Sequence, residues 1–320
     1  MTEYIMEVQH LKKYFHHKRE TLKAVDDVSF ALEKGETFGL VGESGCGKTT
    51  CGKTCLGILK KTDGTVLYKG TDVHKMSHKE FFDFTGEVQM IFQDPYSSLD
   101  PRMKVYDIIA EGIRIHRLAK DKEDEKARIY GLLDDVGLQH EVAERYVHEF
   151  SGGQRQRIGI ARALSVEPDF IFCDEPVSAL DVSVQAQIIN LLKDLKEKKG
   201  LTLLFVAHDL AVVQNISDRI GVMYLGGMME MGTAKQVITE PAHPYTQALI
   251  SLVPVPDPEI ENNRERIYLS GNRPSASEKI KGCRFCSCCP ESKEICEREE
   301  PSWTEIEPSH FVACHKYERN

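Results

Sequence analysis

The chain has 320 residues, of which 41% are hydrophobic, and a formal net charge of −9. These values fit one large globular core, or a main domain with a smaller appendage, and exclude a disordered or fibrous protein. The acidic balance gives no basic surface field, so general binding to nucleic acid or anionic lipid is not expected. There is no charge-free run of about 18 apolar residues, and the N-terminus lacks a signal core. We expect a cytosolic protein that reaches membranes only through a partner.

The first third of the chain is predicted to start with an antiparallel sheet that feeds a core strand. Its short β-prone runs cover residues 4–8, 23–32 and 37–41. A glycine-rich loop follows at residues 42–49. Beyond that loop we predict a helix to about Leu59 and a strand pair around residues 65–68.

The middle of the chain alternates between helical and strand-like patterns. Residues from about 94 to 165 carry apolar side chains at helical spacing, which predicts a helical insertion. Further strands are predicted at residues 169–173, 201–207 and 220–225, the last closing a hairpin at Gly226-Gly227. A helical run between two of these strands stops at Gly200, a good C-cap residue. This alternation predicts an α/β protein with a mainly parallel sheet covered on both faces.

The last part of the sequence differs in composition from the rest. A proline-rich break at residues 254–258 leads into a polar tail, which is expected to form a small separate unit. We place the main domain at residues 1–235 and a C-terminal extension at residues 236–320. Six cysteines crowd the end of the extension; they are Cys283, Cys286, Cys288, Cys289, Cys296 and Cys314. In a reducing compartment such a cluster indicates metal ligands before disulfides.

The glycine-rich loop fits the phosphate-binding pattern and stands between an apolar strand and a helix. Its residues are Gly42, Glu43, Ser44, Gly45, Cys46, Gly47, Lys48 and Thr49, and the adjoining Thr50 is counted with them. Backbone N–H groups of such a loop surround the β-phosphate at a helix N-terminus. We expect Lys48 to reach the β- and γ-phosphates and the Thr49 hydroxyl to ligate Mg²⁺.

Two further groups of residues suit nucleotide chemistry. A buried strand ends in Asp174, which would hold Mg²⁺ through water, and Glu175, which would polarise the attacking water. A second anion-binding helix start consists of Ser151, Gly152, Gly153 and Gln154. One bound ATP does not need two such sites from one subunit. The second is therefore expected to serve a nucleotide held by another subunit.

Together these motifs resemble the ABC-transporter ATPase family, which implies its P-loop NTPase fold: a mainly parallel sheet core, an N-terminal antiparallel subdomain and a helical subdomain. The resemblance makes Gln93 the Q-loop glutamine and an Mg²⁺ contact, and His208 the H-loop histidine at the γ-phosphate. It makes residues 178–181, ending in Asp181, the D-loop. It also places Tyr14, or alternatively Phe15, against the adenine. Phe150 departs from the usual leucine and is expected to affect packing only.

The same resemblance implies a mechanism and a cofactor set. In the family, two subunits sandwich two MgATP molecules head to tail, each phosphate loop facing the other subunit's signature. Closure and reopening of the sandwich drive membrane partners between inward-facing and outward-facing states. Catalytic roles are expected for Glu175, His208 and Gln93.

Three longer motifs narrow the resemblance to the oligopeptide and dipeptide importer ATPases, a subfamily that also includes nickel importers. They span residues 92–101, 241–249 and 282–285. The resemblance implies a peripheral protein on the cytoplasmic face of the membrane. The expected partners are a second homologous ATPase, two transmembrane permease subunits and an extracellular solute-binding protein, with no nucleic acid.

Four tail cysteines match the family spacing of five, six and seventeen intervening residues: Cys283, Cys289, Cys296 and Cys314. The resemblance favours a [4Fe-4S] cluster, while Zn²⁺ or reduced unligated thiols remain open. Cys286 and Cys288 add two thiols to the usual pattern. A competing functional hypothesis is an accessory ABC ATPase of a soluble enzyme complex such as a phosphonate lyase. A DNA-repair or translation-factor ATPase is disfavoured, because the chain has one motor and no basic arm.

Overall fold

A computed structural model describes residues 4–17, 20–253, 266–267 and 280–318. The chain divides into two compact units. We call the first the signature unit; it comprises Met1–Ile5, Glu33–Glu36 and Lys75–Val206. The second is the phosphate-loop unit, which comprises Met6–Leu32, Thr37–His74 and Ala207–Asn320. The proline-rich break at residues 254–258 lies outside the described residues.

The described residues form strands and helices in alternation. The strands are β1 Tyr4–His17, β2 Glu20–Glu33, β3 Thr37–Val41, β4 Asp63–Tyr68, β5 Thr71–Asp72, β6 Val88–Ile91, β7 Phe170–Asp174, β8 Thr202–Ala207, β9 Arg219–Tyr224, β10 Gly227–Thr233, β11 Trp303–Glu307 and β12 His310–Ala313. The helices are α1 Lys48–Cys55, α2 His78–Glu87, α3 Pro95–Ser98, α4 Val105–Ile115, α5 Lys122–Asp135, α6 Gly152–Leu164, α7 Val182–Lys199, α8 Leu210–Ile216, α9 Ala234–Thr239, α10 Pro244–Ser251 and α11 Glu294–Arg298. Short 3-10 helices cover Val73–Lys75, His140–Glu144, Val147–Glu149 and Cys286–Cys288.

The phosphate-loop unit contains an antiparallel sheet in the order β2-β1-β4-β5. In its other sheet, β3 pairs in parallel with β9, and Phe38 lies opposite Arg219. Strand β9 turns back into β10 at Leu225 and Gly226, both of which have positive φ. The cysteine-rich tail was expected to be a separate unit, and this was wrong. Its strand β12 pairs antiparallel with β10, and β11 pairs with β12, so the tail extends this sheet.

The signature unit is built on the parallel strands β6, β7 and β8. All five residues of β7 are buried, as expected for a strand covered on both faces. Helix α6 packs against α4 and α5. Four apolar residues of α4 are completely or almost completely buried: Val105, Ile108, Ile109 and Ile113. The helices α3 to α6 fall within the stretch predicted as a helical insertion; the domain boundary at residue 235 stays a prediction.

Several predicted bounds need correction. Helix α1 ends at Cys55 instead of continuing to about Leu59, because Gly57 has φ +71° and breaks the helical backbone. The sequence patterns also missed α2 and β6. Helix α7 ends where expected, with Gly200 in the left-handed conformation at φ +68°. None of the helices in the described part of the chain is long and apolar enough to cross a membrane.

Candidate nucleotide-binding residues

Two glycines of the phosphate loop are required by the backbone itself. Gly42 has φ +151°, and a Cβ added there would lie 2.2 Å from the Met223 carbonyl oxygen. Gly47 has φ +110°, and a Cβ there would lie 2.0 Å from the carbonyl oxygen of Ala24. Both conformations are ones that side chains rarely adopt. The loop therefore holds its shape through close backbone approaches that only glycine permits.

Lys48 opens α1 and folds back onto the loop. It is only 3% exposed, and its Nζ donates to the carbonyl oxygens of Gly42 at 2.8 Å and Glu43 at 3.0 Å. Around it, the other predicted loop contacts differ in burial: Ser44 and Gly45 are exposed, Cys46 is buried, and Thr49 and Thr50 are half-buried. The ammonium thus lies against the backbone of the loop. A phosphate oxygen bound at this loop would be met by a positive charge and by the N-terminus of α1.

Tyr14, the predicted adenine platform, is half-buried and donates its hydroxyl proton to Asp26. Lys23 lies over its ring, with Nζ 5.4 Å from the centroid. Burial and the hydrogen bond to Asp26 raise the pKa of Tyr14, so the hydroxyl stays protonated. The alternative platform, Phe15, is 38% exposed, and its recorded ring contact is with Lys13, at 4.7 Å. The Tyr14 ring is anchored through its hydroxyl, which Phe15 lacks.

The signature unit brings together two of the predicted catalytic side chains. The Gln93 amide donates to Glu175 Oε2 at 2.8 Å. Glu175 follows β7 with φ +46°, a left-handed conformation that is rare for this residue type and is held by a hydrogen bond from its N–H to Val206 O at 3.0 Å. Asp174, at the end of β7, is 2% exposed. The hydrogen bond from the Gln93 amide holds the Glu175 carboxylate in one orientation, as a general base requires.

The start of α6 forms a complete capping box. Gln154 N–H donates to Ser151 Oγ at 3.4 Å, and Ser151 N–H donates to Gln154 Oε1 at 3.1 Å. Both side chains are exposed. A Cβ on Gly153 would lie 2.5 Å from Val184 Cγ1, and one on Gly152 would lie 3.3 Å from Leu180. The small residues thus let the start of α6 pack closely beside the start of α7.

The remaining predicted site residues lie at helix starts or element ends. Asp181 caps α7, accepting from Val184 N–H at 3.0 Å. His208 follows β8, belongs to the phosphate-loop unit and is exposed. Phe150 is 4% exposed, with the Arg145 guanidinium 4.8 Å from its ring centroid, as a packing residue would be.

The four spaced cysteines line one small cavity in the phosphate-loop unit; they are Cys283, Cys289, Cys296 and Cys314. Cys286 lines the same cavity, whereas Cys288 lies apart, with its sulfur 4.0 Å from the Tyr224 hydroxyl. Burial raises the pKa of Cys283 to about 12 and that of Cys289 to about 11, and the other thiols add to both shifts. No group of three or more His, Cys, Asp or Glu side chains within the described residues is arranged to hold a metal ion.

Two contacts between the C-terminal extension and the region of the predicted nucleotide-binding residues were not predicted from the sequence. Tyr245 reaches the phosphate loop, where its hydroxyl accepts from Glu43 N–H at 3.0 Å. Arg284 donates to Asp26, the partner of Tyr14, at 3.1 Å. Both residues fall inside motifs quoted above, residues 241–249 and 282–285. The motifs mark these positions in the sequence, but nothing in them indicates which parts of the chain the two side chains contact.

The comparisons with known proteins decide the family. The ABC transporter family matches residues 25–178, and the oligopeptide/dipeptide transporter C-terminal region matches residues 229–296. The oligopeptide transport ATP-binding protein OppF of Bacillus subtilis is 52% identical over 98% of this chain and 97% of its own length. This chain belongs to the ABC transporter ATP-binding family. The OppF of Haemophilus influenzae is 48% identical, again over 98% of this chain and 97% of the relative.

Solved structures agree with this assignment. The dimeric post-hydrolysis cassette MJ0796, bound to ADP and Pi, has a TM-score of 0.66 at 27% identity, covering 72% of this chain and 98% of that one. The cbiO1 subunit from Clostridium perfringens, part of the cbiONQ transporter complex, has the same TM-score at 26% identity, covering 74% and 92%. The predicted α/β P-loop NTPase fold of the ABC ATPases is confirmed. As a member of this family the chain is an ATPase that uses MgATP.

Proposed function

We propose that this chain hydrolyses ATP to drive the import of oligopeptides, dipeptides or a related small solute. The observation that carries the proposal is the near full-length identity to oligopeptide transport ATP-binding proteins, which includes the C-terminal region. These relatives are transport proteins, which favours the importer over an accessory ATPase of a phosphonate lyase. Cargo passes through other subunits, so this chain's residues do not identify it.

We assign each of the motifs described above its own role toward the nucleotide. Tyr14 stacks on the adenine, and the phosphate loop with Lys48 holds the β- and γ-phosphates. Glu175 orients the attacking water and accepts its proton, while Gln93 fixes the position of that carboxylate. The 2.8 Å hydrogen bond between Gln93 and Glu175 supports this pairing. His208 contacts the γ-phosphate.

Oxygen donors are the ligands that Mg²⁺ prefers, and the assigned set consists of such donors. They are the Thr49 hydroxyl, the Asp174 carboxylate and the Gln93 amide oxygen. Bound Mg²⁺ would neutralise charge on the β- and γ-phosphates. The burial of Asp174 keeps its carboxylate in one place, which suits a residue that orients a metal-bound water.

The exposed signature supports a second ATPase as a partner. Ser151, Gly152, Gly153 and Gln154 lie at a helix start that offers N–H groups and a hydroxyl to an anion from outside the chain. We assign them to the γ-phosphate held by a second homologous ATPase, with Asp181 near the same contact. Two permease subunits and an extracellular solute-binding protein complete the proposed importer. The chain would then be peripheral, on the cytoplasmic membrane face.

We further propose that the cysteine cavity holds a [4Fe-4S] cluster, with Zn²⁺ as the alternative. Four thiols lining one cavity are a suitable donor set for either. A single Zn²⁺ would be held by such thiolates at about 2.3 Å. The cluster would bind thiolates, reversing the raised thiol pKa values, and hold the tail together. Iron and acid-labile sulfide after anaerobic purification test this; folded protein lacking both contradicts it.

A Glu175→Gln variant tests the assigned chemistry. It keeps the size of the side chain and one acceptor oxygen for the Gln93 amide, but it removes the negative charge and the proton acceptor. We expect MgATP affinity to be unchanged and turnover to fall by about 100-fold or more. Isothermal titration with MgATP and steady-state phosphate release measure the two quantities. A Glu197→Gln variant, on the exposed face of α7, is the matched control. Wild-type turnover in Glu175→Gln would refute the role.

A further inference from the structure

The C-terminal extension touches the nucleotide-binding loops at two separate points, both inside the phosphate-loop unit. One contact is made by Arg284, next to Cys283, and the other by Tyr245, at the start of α10. Phosphoryl transfer itself needs neither residue. One contact ends on the phosphate loop, and the other ends on Asp26, the hydrogen-bond partner of Tyr14.

The first contact starts from a fixed guanidinium. The Arg284 side chain is 11% exposed. It donates to Asp26 Oδ2 at 3.1 Å, to the Asp26 carbonyl oxygen at 3.3 Å and to Leu225 O at 3.2 Å. It also pairs with Glu300 at 3.0 Å. Gly227 leaves room for it, since a Cβ there would lie 2.6 Å from Arg284 Nε. Several donors with distinct acceptors hold an arginine in one orientation.

Asp26 transmits that orientation to the adenine platform. Its carboxylate accepts from the Tyr14 hydroxyl and from Lys23 at 3.0 Å. Burial alone would raise the pKa of Asp26, but these hydrogen bonds and the Arg284 charge lower it below its usual value. The carboxylate is therefore ionised at neutral pH and binds the Tyr14 hydroxyl strongly. Without Arg284, the buried carboxylate would keep Lys23 but lose one of its two cationic partners at Oδ2.

The second contact ends on the phosphate loop. Tyr245 is completely buried, and its ring packs against Tyr224 at 4.7 Å and Phe285 at 5.4 Å between centroids. Its hydroxyl accepts the Glu43 N–H at 3.0 Å. The loop is also tied at Cys46, whose carbonyl oxygen accepts from Gly226 N–H at 2.9 Å. A cluster of Tyr245 and Phe285 from the extension with Tyr224 from β9 thus fixes one backbone amide of the loop.

We propose that the extension positions the nucleotide: Arg284 orients Tyr14 through Asp26, and Tyr245 sets the shape of the phosphate loop at Glu43. Both are positioning residues that act through groups in contact with ATP. The inference rests on the proposed nucleotide site. It gives the extension a role in ATP affinity.

Two ligands distinguish the two contacts: MgATP, which carries the base, and inorganic triphosphate, which does not. Arg284 acts on the side of the base, and Tyr245 acts on the side of the phosphates. We expect Arg284→Met to weaken MgATP binding about tenfold, the effect of losing one oriented contact, and to leave inorganic triphosphate binding unchanged. Tyr245→Phe removes one hydroxyl and should weaken both ligands alike, by about fivefold. Arg284→Lys keeps the positive charge but lacks the planar guanidinium, so it should retain part of the ATP affinity that Arg284→Met loses. Titration calorimetry on the full chain measures all of these.

Two substitutions in the same extension serve as controls. Arg298→Met removes an exposed arginine paired with Glu294, and Tyr317→Phe removes a hydroxyl that donates to Ala242 O at 3.4 Å. Neither should change either affinity. The loss of ATP affinity in Tyr14→Ala measures how much the contact with the base contributes. If Tyr14→Ala loses ATP affinity while Arg284→Met and Arg284→Lys keep it, the inference about Arg284 fails and the site stands.

Other outcomes are equally decisive. If Arg284→Met lost affinity for ATP and for triphosphate equally, Arg284 would support the fold in general. That result would overturn its role toward the base. Unchanged triphosphate affinity in Tyr245→Phe would overturn the contact to the loop. If Tyr14→Ala binds ATP normally, the adenine platform itself is wrong, which is a failure of the proposed site and not of the extension alone.

Discussion

The phosphate loop and the start of α6 both place glycines before or at a helix, but for different physical reasons. At Gly47, φ is +110° and a side chain would meet a backbone oxygen at 2.0 Å. At Gly153 the backbone is helical, and a Cβ would meet a side chain, Val184, at 2.5 Å. The first glycine is needed for backbone shape. The second is needed so that two helices can approach each other.

The same two regions also differ in exposure. Lys48 is buried within its loop, whereas Ser151 and Gln154 are exposed. A loop closed around its own cation is suited to enclosing a ligand of this chain. An exposed, capped helix start is suited to a ligand brought by another chain. Similar composition therefore does not mean the same role, and the comparison can be tested at each glycine.

The largest effect is expected in the phosphate loop. Gly47→Ala forces a Cβ against the Ala24 carbonyl oxygen, so the loop must move. We expect MgATP affinity to fall by about 100-fold or more, nearly 3 kcal/mol. Gly45→Ala is the matched control: φ is +79°, but nothing lies within 4 Å of the added Cβ. It should cost about 1 kcal/mol of strain. Equal affinities of the two variants, by titration calorimetry, would contradict the backbone argument.

A second, smaller effect separates capping from phosphate contact at Ser151. Asp is as good an N-cap as Ser, so Ser151→Asp should keep the free energy of unfolding within about 0.5 kcal/mol. Its negative charge would repel the partner's γ-phosphate, and turnover of the assembled transporter should fall by about tenfold or more. Ser151→Ala loses the cap and should cost about 1 kcal/mol. Full turnover in Ser151→Asp would leave Ser151 with a structural role only.

The smallest effect on nucleotide binding is expected at the contact between α6 and α7. Gly153→Ala crowds Val184 and should destabilise the fold by about 1–3 kcal/mol. MgATP binding to this chain's own loop should persist. The control is Gly159→Ala, further along α6, where nothing lies within 4 Å and alanine should stabilise the helix by up to about 1 kcal/mol. Chemical denaturation measures both. A Gly153→Ala protein as stable as Gly159→Ala would remove the packing explanation.

Sequence patterns predicted the fold best where a local signal exists. Strand β3 and the end of α7 at Gly200 follow from an apolar run and from a C-cap glycine. Helix α1 was predicted too long because the apolar residues after Cys55 continue the helical spacing, while Gly57 turns the backbone. The prediction for β1 stopped at residue 8, whereas the strand reaches His17, because most residues after Val8 are polar and only Leu11 among them is buried.

The candidate site was predictable as a set of residues but not as a set of contacts. Motif spacing identifies Lys48 and Glu175, because their chemistry requires fixed neighbours in sequence. The hydrogen bond between Gln93 and Glu175 joins residues 82 positions apart. That between Arg284 and Asp26 joins residues 258 positions apart. Such contacts depend on tertiary packing, which no local pattern records.

The central claim is that this chain is the ATPase of a membrane importer and works with a second ATPase. The most direct test is to tag the Glu175→Gln protein in its native host, solubilise membranes with ATP present, and identify the co-purifying proteins by mass spectrometry. The account predicts two multi-spanning membrane proteins and a second ABC ATPase. Recovery of soluble enzyme subunits alone would contradict it.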